Sequence, residues 1–373
     1  MKKVAQGIEL TLLSNSSSES LAHAHCSTIV TFPDSEILAG WYWATEEANI
    51  NEEIFFSRKK LGKTWSKPEP WGLKSPIMFD GNPVLWIAPD TGLLHIFYNA
   101  GWGWSFVFAK HKVSEDKGVT WVPQPNVYPF ISRGLKNPPI MLSNGDYLLP
   151  AYVEFKYLRG VFFLSKNRGK KWKQSNFVDL KPSIIPDGYE SKKGRQVEQP
   201  TVIQRQDGSL LALFRNDGRP MKWMLKSESF DGGKTWSPAS NYILPNPAGG
   251  FHMIKAKSGN IIIIYNHAPS AIDNDMKWRN PLSVALSEDD GETWAYRRNL
   301  IEWHPGDEGD NSKETFEYPT ITQAADGTFH ATWSLSHEVE RNGEKNKVMD
   351  IQYTYFTEDW IKQKSYFDQS WEL

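Results

Sequence analysis

One phrase occurs five times in this chain: Ser57–Trp65 (SRKKLGKTW), Ser114–Trp121 (SEDKGVTW), Ser165–Trp172 (SKNRGKKW), Ser229–Trp236 (SFDGGKTW) and Ser287–Trp294 (SEDDGETW). The pattern is Ser-x-Asp/Asn-x-Gly-x-Thr/Lys-Trp, the first copy carrying one extra residue and no acid. Each part has a physical role. The Ser ends a strand, the Asp or Asn bonds back to the backbone of its own turn, and the Gly admits the positive φ of a tight hairpin. The Trp opens the next strand and covers the turn with apolar surface. The serines recur at intervals of about fifty to sixty-five residues, the length of one small antiparallel sheet with its connections. Self-similarity at that period constrains the chain to a radial array of sheets, an all-β β-propeller, and its six units of strand, turn and strand make it a six-bladed β-propeller.

Six units of strand, turn and strand open near Ser27, Asn82, Pro138, Pro200, Phe251 and Pro319. The sixth has no such phrase and ends on Phe356-Thr357-Glu358-Asp359-Trp360. The segment IELTLL near the N-terminus is expected to add a strand to the last unit and close the ring, removing exposed edges. Residues 1–373 therefore read as a single domain. Asp179 to Val197 and Trp303 to Lys313 read as long connections, which lie over one end of a propeller, where function collects.

Composition narrows the function. Lys plus Arg (42) nearly balance Asp plus Glu (44), and no long basic run exists, so neither nucleic acid nor a membrane is an expected partner. The one cysteine, Cys26, sits in an apolar strand and reads as a buried small hydrophobe. No Cys/His cluster has zinc spacing and no Gly-rich phosphate loop precedes a helix, so no metal or cofactor is expected. The N-terminal stretch is broken by Gln6 and Glu9 and makes a poor signal peptide, and no stretch is long and apolar enough to span a bilayer. The expectation is a cytoplasmic protein; its oligomeric state is not legible.

The repeated phrase is the Asp-box, or BNR repeat, and from about His23 to about Trp360 the chain resembles the sialidase (neuraminidase) superfamily. That resemblance implies a glycan or oligosaccharide substrate and a site at the propeller axis. There, three arginines hold the substrate carboxylate, a Tyr activated by a Glu attacks the anomeric carbon, and an Asp is the acid/base. A neutral Tyr approaches an anionic sugar with less repulsion than a carboxylate. By local context Tyr318, in TFEYPTITQAADG, stands at the nucleophile position and Glu198, in EQPTVIQRQDG, at that of its partner. Arg215 and Arg279 stand at the second and third arginine positions. These four come from three units and are expected to converge in one pocket with His25.

Two positions depart from the family pattern. His25 stands where the first Arg is expected, and an imidazole does not replace a bidentate guanidinium. The acid/base segment (ATEEANIN) holds no Asp, leaving Glu47 or His25 for that role. His252, at the start of the fifth unit, and Arg133, just before the third, are further candidates for substrate binding; His23, two residues from His25, points to the same side of its strand. The loop Asn99–Trp104, with its two tryptophans, reads as packing between sheets in preference to stacking on a sugar. The leading functional expectation is thus a sialidase-type hydrolase with an altered first unit, for which common sialosides are poor substrates. A polysaccharide lyase, using Tyr and His to abstract a proton beside a uronate carboxylate, and a non-catalytic carbohydrate-binding propeller are the alternatives.

Overall fold

The computed structural model describes residues 3–16, 21–155, 157–184, 197–216, 222–268, 279–302, 314–341 and 343–363. Two short strands come first, β1 (Lys3–Val4) and β2 (Thr11–Leu12). Six meandering modules follow in chain order. The first is β3 (His23–Thr31), β4 (Ile37–Ala44), β5 (Glu53–Lys59) and β6 (Glu69–Pro70). The second is β7 (Phe79–Ile87), β8 (Leu94–Gly101), β9 (Val107–Ser114) and β10 (Val122–Pro123). The third is β11 (Ile140–Met141), β12 (Tyr147–Glu154), β13 (Leu158–Ser165) and β14 (Lys173–Gln174), and the fourth β15 (Glu198–Gln204), β16 (Leu210–Arg215), β17 (Trp223–Ser229) and β18 (Ser240–Pro245). The fifth is β19 (His252–Lys255), β20 (Ile261–Asn266), β21 (Leu282–Ser287) and β22 (Tyr296–Glu302). The last is β23 (Thr315–Gln323), β24 (Phe329–Arg341) and β25 (Glu344–Phe356), ending in a short helix, Glu358–Lys362.

Hydrogen bonding joins these strands into five sheets, not six separate ones. The reason is one parallel pairing, Met349↔His23, which fuses the last module to the first in an eight-stranded sheet. The N-terminal segment adds a strand to two sheets: β1 pairs with β22 and β2 with β25. Ser14 Oγ (3.0 Å) and the Ser16 amide (2.6 Å) then donate to the buried Asp350 carboxylate.

The chain divides into two compact units, residues 1–73 with 245–373, and residues 74–244. In the first, Ile262, Ile264, Val284 and Leu286 of the fifth module pack with Phe316, Phe329 and Trp333 of the last. In the second, Leu148, Phe162 and Leu164 of the third module pack with Val202, Leu210 and Phe214 of the fourth. Alternation along each strand feeds both faces of a module into neighbouring cores.

The five repeated phrases are the turns between third and fourth strands. Four of them close identically. In the second module Ser114 Oγ meets Asp116 Oδ1 at 2.7 Å, the Gly118 amide donates to Ser114 Oγ at 2.7 Å, and the Thr120 amide donates to Asp116 Oδ1 at 2.8 Å. All five box glycines carry positive φ, from 68° at Gly62 to 89° at Gly291. The tryptophans reach further than their own turns. Trp236 stacks on Phe162 of the preceding module at 3.8 Å, Trp172 lies edge-on to Phe97 at 6.0 Å, and Trp65 meets Tyr353 at 4.9 Å. The expected long connections at 179–197 and 303–313 lie outside the described residues except for 179–184 and Val197. No described helix is long and apolar enough to cross a membrane.

Candidate active site

Four first strands break register at the same place: between His25 and Thr28, Gly81 and Val84, Glu198 and Thr201, and Glu317 and Thr320. Each break is a bulge built on a non-glycine residue in left-handed backbone: Cys26 (φ 52°), Asn82 (45°), Gln199 (49°) and Tyr318 (50°). A proline follows in three of the four, Pro83, Pro200 and Pro319. Proline has no N–H to leave unpaired, so a bulge is where a sheet accepts it. An extra residue in the strand bends it and re-aims its side chains, and left-handed backbone costs a non-glycine residue roughly 1–2 kcal/mol. Each of these four bulges lies near the start of its first strand, the end opposite the Asp-box turns.

In the first unit the bulges of β3 and β23 bring an aromatic and charged cluster together. The Tyr318 ring lies against the His25 imidazole at 4.5 Å, edge to face, and Arg279 covers the Tyr318 ring at 5.6 Å. Tyr42, buried on β4, stands edge-on to His25 at 5.6 Å and stacks on His23 at 5.8 Å, its hydroxyl 3.4 Å from His23 Nε2. The Cys26 amide donates to Ser334 Oγ of β24 at 3.2 Å, which fixes the β3 bulge against the last module.

Glu317 neighbours Tyr318 and ties the cluster electrostatically. Arg279 Nη1 donates to Glu317 Oε2, Arg279 Nη2 donates to the Ala248 carbonyl at 3.0 Å, and Thr315 Oγ1 donates to Glu317 Oε1 at 2.8 Å. Burial disfavours the Glu317 charge, but Arg279 and then His25 outweigh it and hold the carboxyl down to about 2. Burial lowers His23 to about 4, opposed by Glu317 and assisted by Lys347. Burial raises the Tyr42 hydroxyl well above its ordinary value, and Glu47 and Glu52 add to this. Tyr318, His25 and Arg279 are thus brought together.

Glu47 is exposed in the turn between β4 and β5. In the same turn Glu52 is fully buried, accepting the Ala48 amide at 2.7 Å. His252 is buried and accepts the Ile321 amide on Nδ1 at 3.2 Å, joining β19 to β23.

In the second unit Glu198 and Arg215 are register partners, with Arg215 Nε 3.3 Å from Glu198 Oε1 and Arg215 Nη1 donating to Gln199 Oε1 at 3.1 Å. Asn137 holds this bulge by donating to the carbonyls of Gln199 (3.3 Å) and Pro200 (3.0 Å). Arg133 is buried; it donates from Nε and Nη2 to Gln174 Oε1 (3.1 and 3.0 Å) and from Nη1 to the Ser132 carbonyl, and it lies over Tyr128 at 4.2 Å. Its guanidinium is committed to protein contacts. In the aromatic loop the side chains divide: Trp104 packs edge-on to Phe79 at 5.2 Å, while Trp102 is 60% exposed, against the packing expectation.

Sequence reasoning did not single out Glu317, Tyr42, Glu52, Lys347 or Asp80, whose carboxyl burial raises to about 6. One signal was available: Asn82-Pro83-Val84, Gln199-Pro200-Thr201 and Tyr318-Pro319-Thr320 repeat a proline inside a strand, and the residues flanking it are the ones a bulge re-aims.

This geometry, antiparallel modules with Asp-box turns at one end and bulged first strands at the other, defines a sialidase-like β-propeller. The BNR repeat-like domain model matches residues 35–331, and the chain belongs to that family. No curated protein matches it by sequence. Among solved structures it is similar to a protein of unknown function from Dyadobacter fermentans (TM-score 0.67, 16% identity, 94% of this chain and 98% of that one). It is also similar to a Hadza microbial sialidase (TM-score 0.67, 17% identity, 91% and 66%). A third is the intramolecular trans-sialidase of Ruminococcus gnavus, solved with oseltamivir carboxylate (TM-score 0.64, 13% identity, 97% and 99%). At these identities the likeness shows the fold.

Proposed function

We propose that the protein is a glycoside hydrolase of sialidase type that removes a terminal acidic sugar from a glycan, with Tyr318 as nucleophile. The observation that carries this reading is the setting of Tyr318. A tyrosine held in left-handed backbone at a bulge, against His25 at 4.5 Å and under Arg279 at 5.6 Å, is strain of the kind that clusters at functional sites. In this reading the Tyr318 oxygen bonds to the anomeric carbon while the glycosidic C–O bond breaks. The Tyr318 proton passes to a base and the leaving oxygen takes a proton from an acid. Water then attacks the same carbon and returns the tyrosine.

His25 and the carboxylates of the β4–β5 turn, Glu47 and Glu52, are the groups of the first unit suited to carry the acid's proton. The roles of Glu198 as base and Arg215 as carboxylate ligand rest on resemblance alone. A panel of aryl glycosides bearing acidic and neutral sugars tests the reading: wild type should release the aryl group from an acidic member, and Tyr318→Phe and Glu198→Gln should not. A panel with no turnover by wild type discards hydrolysis.

A lyase reading is favoured by one contact, His25 against Tyr318, since a Tyr/His pair is also equipment for abstracting a proton beside a uronate carboxylate. Product absorbance separates the two, because a lyase leaves an unsaturated, ultraviolet-absorbing sugar. Carbohydrate binding without change in either assay would favour a non-catalytic propeller.

A further inference from the structure

The expected clamp for an anionic sugar is incomplete in the first unit. His25 occupies the first arginine position, and Arg279 is engaged through Nη1 by Glu317 and through Nη2 by Ala248. The charges of Arg279 and Glu317 cancel, and burial keeps His23 neutral near pH 7. An anionic group arriving beside Tyr318 needs a further cation.

The fused sheet supplies one. Thr315↔Ser336, Ser336↔Met349 and Met349↔His23 form a continuous row across β23, β24, β25 and β3. The Met349 amide donates to the Ala22 carbonyl at 2.8 Å and locks the last step of the row. Lys347 is two residues along β25 from Met349, roughly 7 Å away and on the same face. It is exposed, and among the described residues it makes no hydrogen bond or ion pair. The acid directly across from it, Glu338, pairs instead with Lys345 at 3.4 Å. The Lys347 charge nevertheless reaches the cluster, since it lowers both Glu317 and His23.

We propose that Lys347, carried to the cluster by the β24–β25 hairpin, is the cation that receives the anionic group of the sugar, in place of the arginine absent at His25. This rests on the reading of Tyr318 as the reacting residue. An ammonium is a compact point charge without the planar fork of a guanidinium, so the site should accept more than one acidic sugar, a uronate as well as a sialate, and hold each through charge more than through shape.

The test is calorimetric titration of the full chain with sodium N-acetylneuraminate, sodium glucuronate and, as neutral control, galactose. Wild type should bind both acids more tightly than galactose. Lys347→Ala should weaken the acids by roughly 10- to 100-fold, the worth of one charge-assisted hydrogen bond, with Lys347→Arg retaining most of the affinity and galactose unchanged. A folded Lys347→Ala protein that binds the acids like wild type, or a wild type that prefers galactose or binds none of the three, overturns the proposal. Lys347-dependent binding with no glycoside turnover supports Lys347 and discards the hydrolase reading. Turnover of acidic glycosides that Lys347→Ala leaves untouched in KM keeps the hydrolase reading and discards Lys347.

Discussion

At the turn between third and fourth strands, four modules put the same side chains into the same bonds. Ser114, Ser165, Ser229 and Ser287 each accept the amide of the box glycine at 2.7–3.0 Å. At the other end of the sheets the backbone repeats and the side chain does not. Cys26, Asn82, Gln199 and Tyr318 share φ values of 45–52° and the same register break, yet they are a thiol, two amides and a phenol. The Asp-box turn is closed by its own side chains, so its sequence must recur for its shape to recur. The bulge is closed by backbone pairing on both sides, so its shape recurs while its residue is free to differ. Scaffold shows where sequence and shape repeat together, and the proposed chemistry sits where shape repeats alone.

The largest expected effect separates the two ends. Tyr318→Phe should lower kcat on an accepted glycoside by roughly 10³-fold or more, as loss of a nucleophile does. Its unfolding free energy should move by no more than about 0.5 kcal/mol. Activity within tenfold of wild type would remove Tyr318 from the chemistry and leave its left-handed backbone as a feature of the bulge it shares with Cys26, Asn82 and Gln199.

The opposite end should show the reverse. Trp236 is buried, stacks on Phe162 at 3.8 Å and donates from Nε1 to the Gly233 carbonyl at 3.1 Å. Trp236→Ala should cost about 3–5 kcal/mol of stability, read as a lowered urea midpoint, with kcat per folded molecule unchanged. A loss below about 1 kcal/mol would mean that the box tryptophan only covers its own turn and does not join modules.

This difference also explains what the sequence disclosed. The boxes were legible because their bonds are local: Ser, Asp, Gly and Trp within eight residues suffice, and they set the period and the meander. Tyr318, His25 and Arg279 were legible through the resemblance of their local contexts to the sialidase motifs. Glu317 was passed over although it adjoins Tyr318, because its role comes from Arg279, 38 residues earlier. Tyr42 and Lys347 depend on pairings between strands, His25↔Tyr42 and the single bridge Met349↔His23, and no periodicity encodes those. For Arg133 the signal was charge just ahead of a module; in the structure Gln174 and Tyr128 contact its guanidinium.

Acid titration sharpens the comparison with a smaller effect. Burial lowers His23 at the bulge end, and His95 beside the third box, to about 4, against about 6.5 in an unfolded chain. Between these values the unfolded state binds more protons, so stability is full above pH 6.5 and is lost as pH falls towards 4, by about 1.4 kcal/mol per histidine per pH unit. Asp116 is held down to about 2 by hydrogen bonds from the Thr120 side chain and amide and from Ser114. Its contribution is present above the unfolded value near 3.9 and disappears only as pH falls through 2. Urea unfolding across pH 7.5 to 2.5 should therefore weaken in two stages. A flat profile down to pH 4.5 would show that the buried histidines titrate normally.

The smallest effect lies inside the box itself. Lys117 precedes the box glycine with φ 59°, and the equivalent position of the fourth box is already a glycine, Gly232, with φ 75°. Left-handed backbone costs a non-glycine residue roughly 1–2 kcal/mol, while glycine adds roughly 0.5–1 kcal/mol of unfolded-state entropy. Lys117→Gly should therefore stabilise the protein by about 0.5–1 kcal/mol, seen as a small rise in the urea midpoint at unchanged m. At the bulge the same relief should be functional loss under the role proposed for Tyr318: Tyr318→Gly frees a comparable backbone strain but removes the phenol, so glycoside turnover should vanish whatever happens to the midpoint. If Lys117→Gly instead destabilises by 1 kcal/mol or more, the lysine side chain contributes to closing the turn, and the rule that box side chains close the box extends to a position where the repeats do not share a residue.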